Sequence, residues 1–138
     1  MSPSRTFRAA LTAVLFAVPT LALADEPGVG GYKPRPPVTG EEVYKQVCAS
    51  CHMADGKGGS GAATLPSLVH NPKLATPAYP IVMVSKGRGA MPWFSDTLKP
   101  AQIAGVVTYI RTHFDNSYTT PVTEADVAKF GGPAPARD

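Results

Sequence analysis

Two cysteines and a histidine fall within five residues, Cys48-Ala49-Ser50-Cys51-His52. Thiols at this C-x-x-C-H spacing are placed to add to the two vinyl groups of a single porphyrin, and the histidine that follows is placed to ligate its iron. The motif therefore predicts one covalently attached haem c, with Cys48 and Cys51 as thioether residues and His52 as the proximal axial ligand. Three other chemistries compete for these residues. A thioredoxin-like C-x-x-C follows a strand of a βαβ unit, and no strand pattern precedes Cys48. A zinc site needs four ligands, and adding His70 and His113 to the two cysteines gives none of the usual paired-histidine spacing. A disulfide between cysteines three apart is the third, and it would leave a small core unexplained.

A second axial ligand has to come from further along the chain. Met53 adjoins His52 and cannot reach across the haem plane. Met83 lies in an apolar run, where methionine packs more often than it binds. Met91 stands 39 positions after His52, in Gly87-Arg88-Gly89-Ala90-Met91-Pro92. Glycines and proline there give an irregular backbone that can approach the haem closely and hold a sulfur in place. Met91 is the expected distal ligand; Met83, His70 and an open coordination position are the alternatives. Trp93 and Phe94, directly after, read either as core aromatics or as an apolar rim at the haem edge, and Trp93 is assigned to the cofactor contact. Arg88 is placed to meet a haem propionate or simply to be solvated.

The elements that must position these groups are short. Thr39 and Glu42 form a capping box, and Val43, Tyr44 and Val47 follow at helical spacing, predicting a helix that delivers Cys48. Residues 55–63 carry four glycines and read as loop. Residues 81–85 fit a buried helical turn or a short strand equally well. Pro100 suits a first helical position, and Ile103, Val106, Val107, Ile110 and Phe114 recur at helical spacing after it. Thr123 and Asp126 repeat the start signal ahead of a short tail helix that Gly131-Gly132-Pro133 would end.

The chain has 138 residues, 13 basic and 10 acidic side chains and only two cysteines. Arg5 and Arg8, an apolar run over 9–23 and the small-x-small site Ala22-Leu23-Ala24 read as a signal peptide over 1–24. The run is short for a membrane span and contains Pro19, so no stable membrane insertion of the mature chain is expected. Cleavage removes two arginines and leaves a net charge of +1. No basic stripe appears, which argues against a nucleic-acid partner. Residues 25–38, rich in Pro and Gly, read as an extended leader, 39–118 as the one domain, and 119–138 as a C-terminal tail. About 80 ordered residues make a marginal core, which a buried cofactor would supplement.

Taken together, the residues resemble the class I c-type cytochromes of the small bacterial kind. The likeness runs over residues 39–114 and rests on Tyr44 four before the first cysteine, Gly56 and Gly58 after the histidine, Pro66 and Leu68 as Pro-x-Leu, Met91-Pro92, and Val107, Tyr109, Ile110 and Arg111 in the closing helix. It implies an all-α fold of three to five helices wrapped around the haem, with the first and last helices crossing near Tyr44 and Tyr109. It also implies that the Pro66 carbonyl accepts the hydrogen bond of the unliganded His52 ring nitrogen and that Leu68 contacts the cofactor. One departure stands out: Lys99 occupies the cap position of the last helix, where the family commonly has Ser or Thr, which leaves that boundary open to capping by Asp96 or Thr97.

Two protein axial ligands leave no open position on iron, so the expected function is that of a periplasmic one-electron carrier and not an enzyme. The segment His113-Phe114-Asp115-Asn116-Ser117-Tyr118 and the tail resemble the ends of cytochrome domains that serve flavin- or quinone-dependent dehydrogenases. That likeness makes a periplasmic dehydrogenase the expected electron donor, and a downstream cytochrome or terminal oxidase the expected acceptor. A fixed subunit of a dehydrogenase complex, with leader and tail as docking arms, and a small-ligand-binding or peroxidase-type haem protein with a labile Met91 remain the alternatives.

Overall fold

A computed structural model describes residues 36–61, 64–133 and 135–136. The expected signal peptide over 1–24 and the leader up to residue 35 lie outside the described residues.

The first helix starts where its capping box places it. Thr39 Oγ1 accepts the Glu42 N–H at 3.1 Å, and Glu42 Oε2 accepts the N–H groups of Val38 and Thr39 at 2.8 and 3.0 Å. Orphan donors of the first turn are thereby satisfied. The helix runs as α1 (Gly40–Val43), widens into a π-helical stretch (Tyr44–Cys48) and returns to α geometry as α2 (Ala49–His52). Met53, with φ of 64°, ends it. Residues 55–61 form loop. A 3-10 turn (Pro72–Leu74), capped by Asn71 Oδ1, then leads to α3 (Ala78–Lys86). Residues 81–85 are thus helical. Pro77 and Pro80 fall at the cap and first turn, where no backbone N–H is required, so they mark a helix start.

The long helix α4 (Pro100–Thr112) begins behind Lys99, which gives no side-chain cap. The start is closed from inside by Gln102, whose Oε1 accepts the Lys99 N–H at 2.8 Å. Its Nε2 donates to the Pro37 carbonyl at 2.7 Å and ties the described end of the leader to α4. The Thr97 hydroxyl bonds instead to the Phe94 carbonyl. A second complete capping box, Thr123 with Asp126, opens α5 (Glu124–Phe130). Among the described residues there are four helical regions and no strand, so the fold is all-α.

One core joins the helices. Val43, Tyr44, Leu74, Ile81, Ile103, Val106 and Val107 are at most 2 % exposed, and burying each aliphatic side chain contributes roughly 1.5–3 kcal/mol. The α1–α4 crossing is backbone on backbone: a Cβ on Gly40 would lie 2.0 Å from the Gly105 carbonyl oxygen. Beside it, the Tyr44 ring packs against Tyr109 and Phe114 at centroid separations of 5.5 and 4.8 Å. The described part of the tail packs on the other helices. Val122 and Val127 belong to the same buried cluster, and α5 packs on both α3 and α4. Among the described residues no helix is long and apolar enough to cross a membrane.

Candidate functional site

The α1–α2 helix presents Cys48, Cys51 and His52 from its last turns, and Cys48 is the last residue of the π-helical stretch, which widens the backbone where the first thiol leaves it. Cys48 and Cys51 are not paired with each other as a disulfide. Burial, with Cys51 adding to it, pushes the Cys48 thiol up to about 11. Among the described residues no group of three or more His, Cys, Asp or Glu side chains converges as a metal-binding cluster.

His52 is oriented by a distant segment. Its Nδ1 lies 2.9 Å from the Pro66 carbonyl oxygen. A carbonyl only accepts, so Nδ1 carries the proton and Nε2 is left with a free lone pair. Gly58 makes this approach feasible. At its φ of +68° a Cβ would sit 2.2 Å from the Leu65 carbonyl oxygen, so any side chain there would push Leu65 and Pro66 away. Paired bonds between Gly59 and Leu65, at 3.1 and 2.8 Å, close the loop.

The segment after Pro66 is pinned from α4's end by Asn116. This buried amide donates to the carbonyls of Leu68, Ile110 and His113 at 2.8–3.0 Å, while its Oδ1 accepts the Asn71 N–H at 2.9 Å. Arg111, 3 % exposed, works similarly. Its guanidinium donates to the carbonyls of Leu74, Ala75 and Thr120. The spacing of the chain shows neither role, because every partner is remote or a backbone carbonyl.

These segments line two adjoining clefts that open side by side between the helices. The first is lined by Leu68, Leu74, Pro80, Met83, Val84, Val106 and Ile110, with Asn71 and Tyr79 as polar groups. The second is lined by Val47, Cys51, Leu65, Ala90, Pro92 and Phe94 among others. Five residues line both: Cys48, His52, Pro66, Arg88 and Met91. Met83 lines only the first. Trp93 lines neither: its indole N–H donates to Asp96 Oδ2 at 3.3 Å, and the neighbouring Phe94 reaches the cleft in its place. His70, exposed and with φ of 49°, and His113, stacked on Tyr109 at 4.0 Å, also lie outside both clefts. An apolar wall, two cysteines not tied to each other, a histidine with an available Nε2 and a thioether are a donor set that fits a porphyrin and its iron.

Comparison with known proteins agrees with this chemistry. Residues 35–110 match the family described as cytochrome c oxidase, cbb3-type, subunit III. The chain is 36% identical over 106 residues to the cytochrome c subunit of a quinone alcohol dehydrogenase from Gluconacetobacter polyoxogenes, covering 67% of this chain and 22% of that protein. It is 34% identical over 105 residues to the cytochrome c subunit of a gluconate 2-dehydrogenase from Pantoea cypripedii, covering 67% of this chain and 24% of that subunit. It is also 33% identical over 82 residues to cytochrome c6 of Aphanizomenon flos-aquae, covering 59% of this chain and 94% of that protein. The chain thus spans about a quarter of the dehydrogenase subunits and nearly all of the small carrier. With the motif at Cys48 and Cys51 and a helical fold around an apolar cleft, the chain belongs to the c-type cytochromes, electron-transfer proteins whose haem c is covalently bound.

Proposed function

We propose that this chain is an exported, periplasmic mono-haem electron carrier with His52 and Met91 as axial ligands. The observation that carries the reading is that both residues line both clefts, with His52 already held in the ligating tautomer by Pro66. When bound, the haem supplies one-electron redox chemistry. Cys48 and Cys51 would tether it, His52 and Met91 would bind its iron, and Leu68, Leu74, Val106 and Ile110 would exclude water. With no coordination position open, the protein acts as a carrier and not as an enzyme. A thioether ligand favours the ferrous state and raises the potential.

The electron donor is a periplasmic flavin- or quinone-dependent dehydrogenase, and the acceptor a downstream cytochrome or terminal oxidase of a respiratory chain. What supports the donor is that two of the relatives are cytochrome subunits of dehydrogenases. The same relatives favour a second reading, a fixed cytochrome subunit of such a complex. Purified holoprotein should contain one haem that survives acid-acetone extraction, take up one electron per chain from a quinone-dependent alcohol dehydrogenase, and leave carbon monoxide unbound in the ferrous state. Carbon monoxide binding at neutral pH would overturn the carrier reading. Co-elution with the dehydrogenase through gel filtration of a periplasmic extract would replace the free carrier with the subunit.

A further inference from the structure

Ser85 holds a buried side-chain oxygen with no hydrogen-bond partner among the described residues, and the residue is 1 % exposed. Its surroundings explain why. The end of α5 is seated directly on it: a Cβ on Gly131 would lie 2.7 Å from Ser85 Oγ and 3.3 Å from Ser85 Cβ. A glycine against a small side chain lets two helices close to a spacing that one added methyl would disturb. The seat is held from several directions. Val127 of α5 is 6 % exposed, the Val122 N–H donates to Thr108 Oγ1 of α4 at 3.0 Å, and the Thr123–Asp126 box fixes the helix start.

The same last turn of α3 carries the segment that contains Met91. Val84 O accepts the Phe94 N–H at 2.9 Å and Ser85 O accepts the Ser95 hydroxyl at 2.8 Å. Just beyond the turn, Arg88 and Met91 exchange backbone hydrogen bonds at 2.9 and 3.1 Å. The methionine loop therefore hangs from a helical turn whose other contacts include α5, although no residue of α5 lines either cleft.

We propose that α5 is a positioning brace for Met91: by seating Gly131 on Ser85 it sets the last turn of α3, and through the Val84 and Ser85 carbonyls it sets the firmness with which the methionine sulfur is held. This rests on Met91 being the distal ligand. A brace of this kind changes the fraction of molecules with a detached sulfur, and an external ligand reads that fraction directly, because its apparent affinity scales with the competent population.

The test uses ferric holoprotein and three readings: imidazole affinity at neutral pH, loss of the far-red thioether charge-transfer band on heating, and global unfolding by far-ultraviolet circular dichroism. Gly131→Val is expected to bind imidazole about tenfold more tightly than the parent and to lose the band well below its unfolding temperature. Gly131→Ala should do so more weakly, and Ser85→Ala added to it should recover part of the effect by freeing the Oγ volume. Thr39→Ala, which removes the side-chain cap at the far end of α1 and lines neither cleft, should lower the unfolding temperature without altering imidazole affinity. If Gly131→Val folds poorly, Val127→Ala, which loosens the seat of α5 without adding a side chain against Ser85, serves in its place. Variants that lose thermal stability while keeping the parent's imidazole affinity and band would overturn the brace. Persistence of the band in Met91→Ala would instead show that Met91 is not the ligand, which distinguishes failure of that assignment from failure of the brace.

Discussion

The hydroxyl of Tyr44 donates to the carbonyl oxygen of Met53 at 2.7 Å, so the residue four before the first cysteine caps the end of the helix that the two cysteines and His52 occupy. The ring is 1 % exposed, and burial pushes its hydroxyl up to about 12, from the usual value near 10. Tyr44→Phe keeps the ring contacts with Tyr109 and Phe114 and loses the donor, at a cost of about 1–2 kcal/mol. Because the folded protein holds this proton more tightly than the unfolded chain, the contribution is complete below pH 10 and is lost as pH rises toward 12. Denaturant unfolding of parent and Tyr44→Phe at a series of pH values should show the gap between them narrowing in that window. A gap that widens there would contradict the assignment.

Met91 and Met83 both reach the first cleft, and one substitution each separates their roles. Met91→Ala is expected to abolish the far-red band, lower the potential and open the iron to cyanide or imidazole. Met83→Ala leaves a cavity costing about 2–5 kcal/mol and should not change the ligation spectrum. Redox titration together with the ferric spectrum of each variant decides between them. Exchanged outcomes would transfer the ligand to α3.

Asn116 has four partners and fixes the Leu68 and Asn71 backbone against the end of α4. Asn116→Leu leaves the carbonyls of Leu68 and Ile110 and the Asn71 N–H short of a partner, while the His113 carbonyl keeps the backbone N–H of residue 116, and an unsatisfied buried group costs about 1–3 kcal/mol. The holoprotein should unfold at clearly lower denaturant. Amide exchange should rise first at Leu68, whose N–H bonds to Gly56 O at 2.8 Å, and at Asn71. Unchanged exchange over residues 66–71 would argue that the loop is held by other contacts.

How much of this was readable beforehand follows from how far apart the partners lie in the chain. The C-x-x-C-H run and the caps at Thr39 and Thr123 are local, so their chemistry is complete within four or five residues. The expectation for Met91 rests on a local feature, Met-Pro among glycines. Pro66 opposite His52 was accessible only through family likeness, since nothing in the spacing of 14 residues encodes that hydrogen bond. Asn116 and Arg111 were opaque: their partners lie up to 48 and 37 residues away and are mostly backbone carbonyls, which every residue possesses. Residues 81–85 fit helix and strand alike because so short a run is too brief for a period to decide, and the start of α3 at Pro77 settles them as helix. Trp93 was assigned to the cofactor by adjacency to Met91, yet neighbouring side chains diverge, and Asp96 takes the indole.

The crossing of α1 and α4 gives an asymmetric prediction. A Cβ on Gly40 meets the Gly105 carbonyl oxygen at 2.0 Å and the Val106 nitrogen at 3.0 Å, both backbone atoms that cannot rotate aside. Gly40→Ala must therefore separate the helices, and overpacking of this kind costs about 1–3 kcal/mol or more. A Cβ on Gly105 meets only the Gly40 nitrogen and Cα, at 3.3 and 3.4 Å, so a shift of a few tenths of an ångström accommodates it. Alanine in a helix interior is preferred over glycine by about 1 kcal/mol, which offsets that tightness and leaves Gly105→Ala close to neutral. The difference also reaches the site, because α1 runs without interruption into the turn bearing Cys48. Gly40→Ala should lower both the unfolding midpoint and the yield of protein with covalently attached haem, measured as haem absorbance per chain, whereas Gly105→Ala should match the parent in both. Equal losses in the two variants would mean that the helices separate symmetrically and that the contact at Gly40 is not the limiting one.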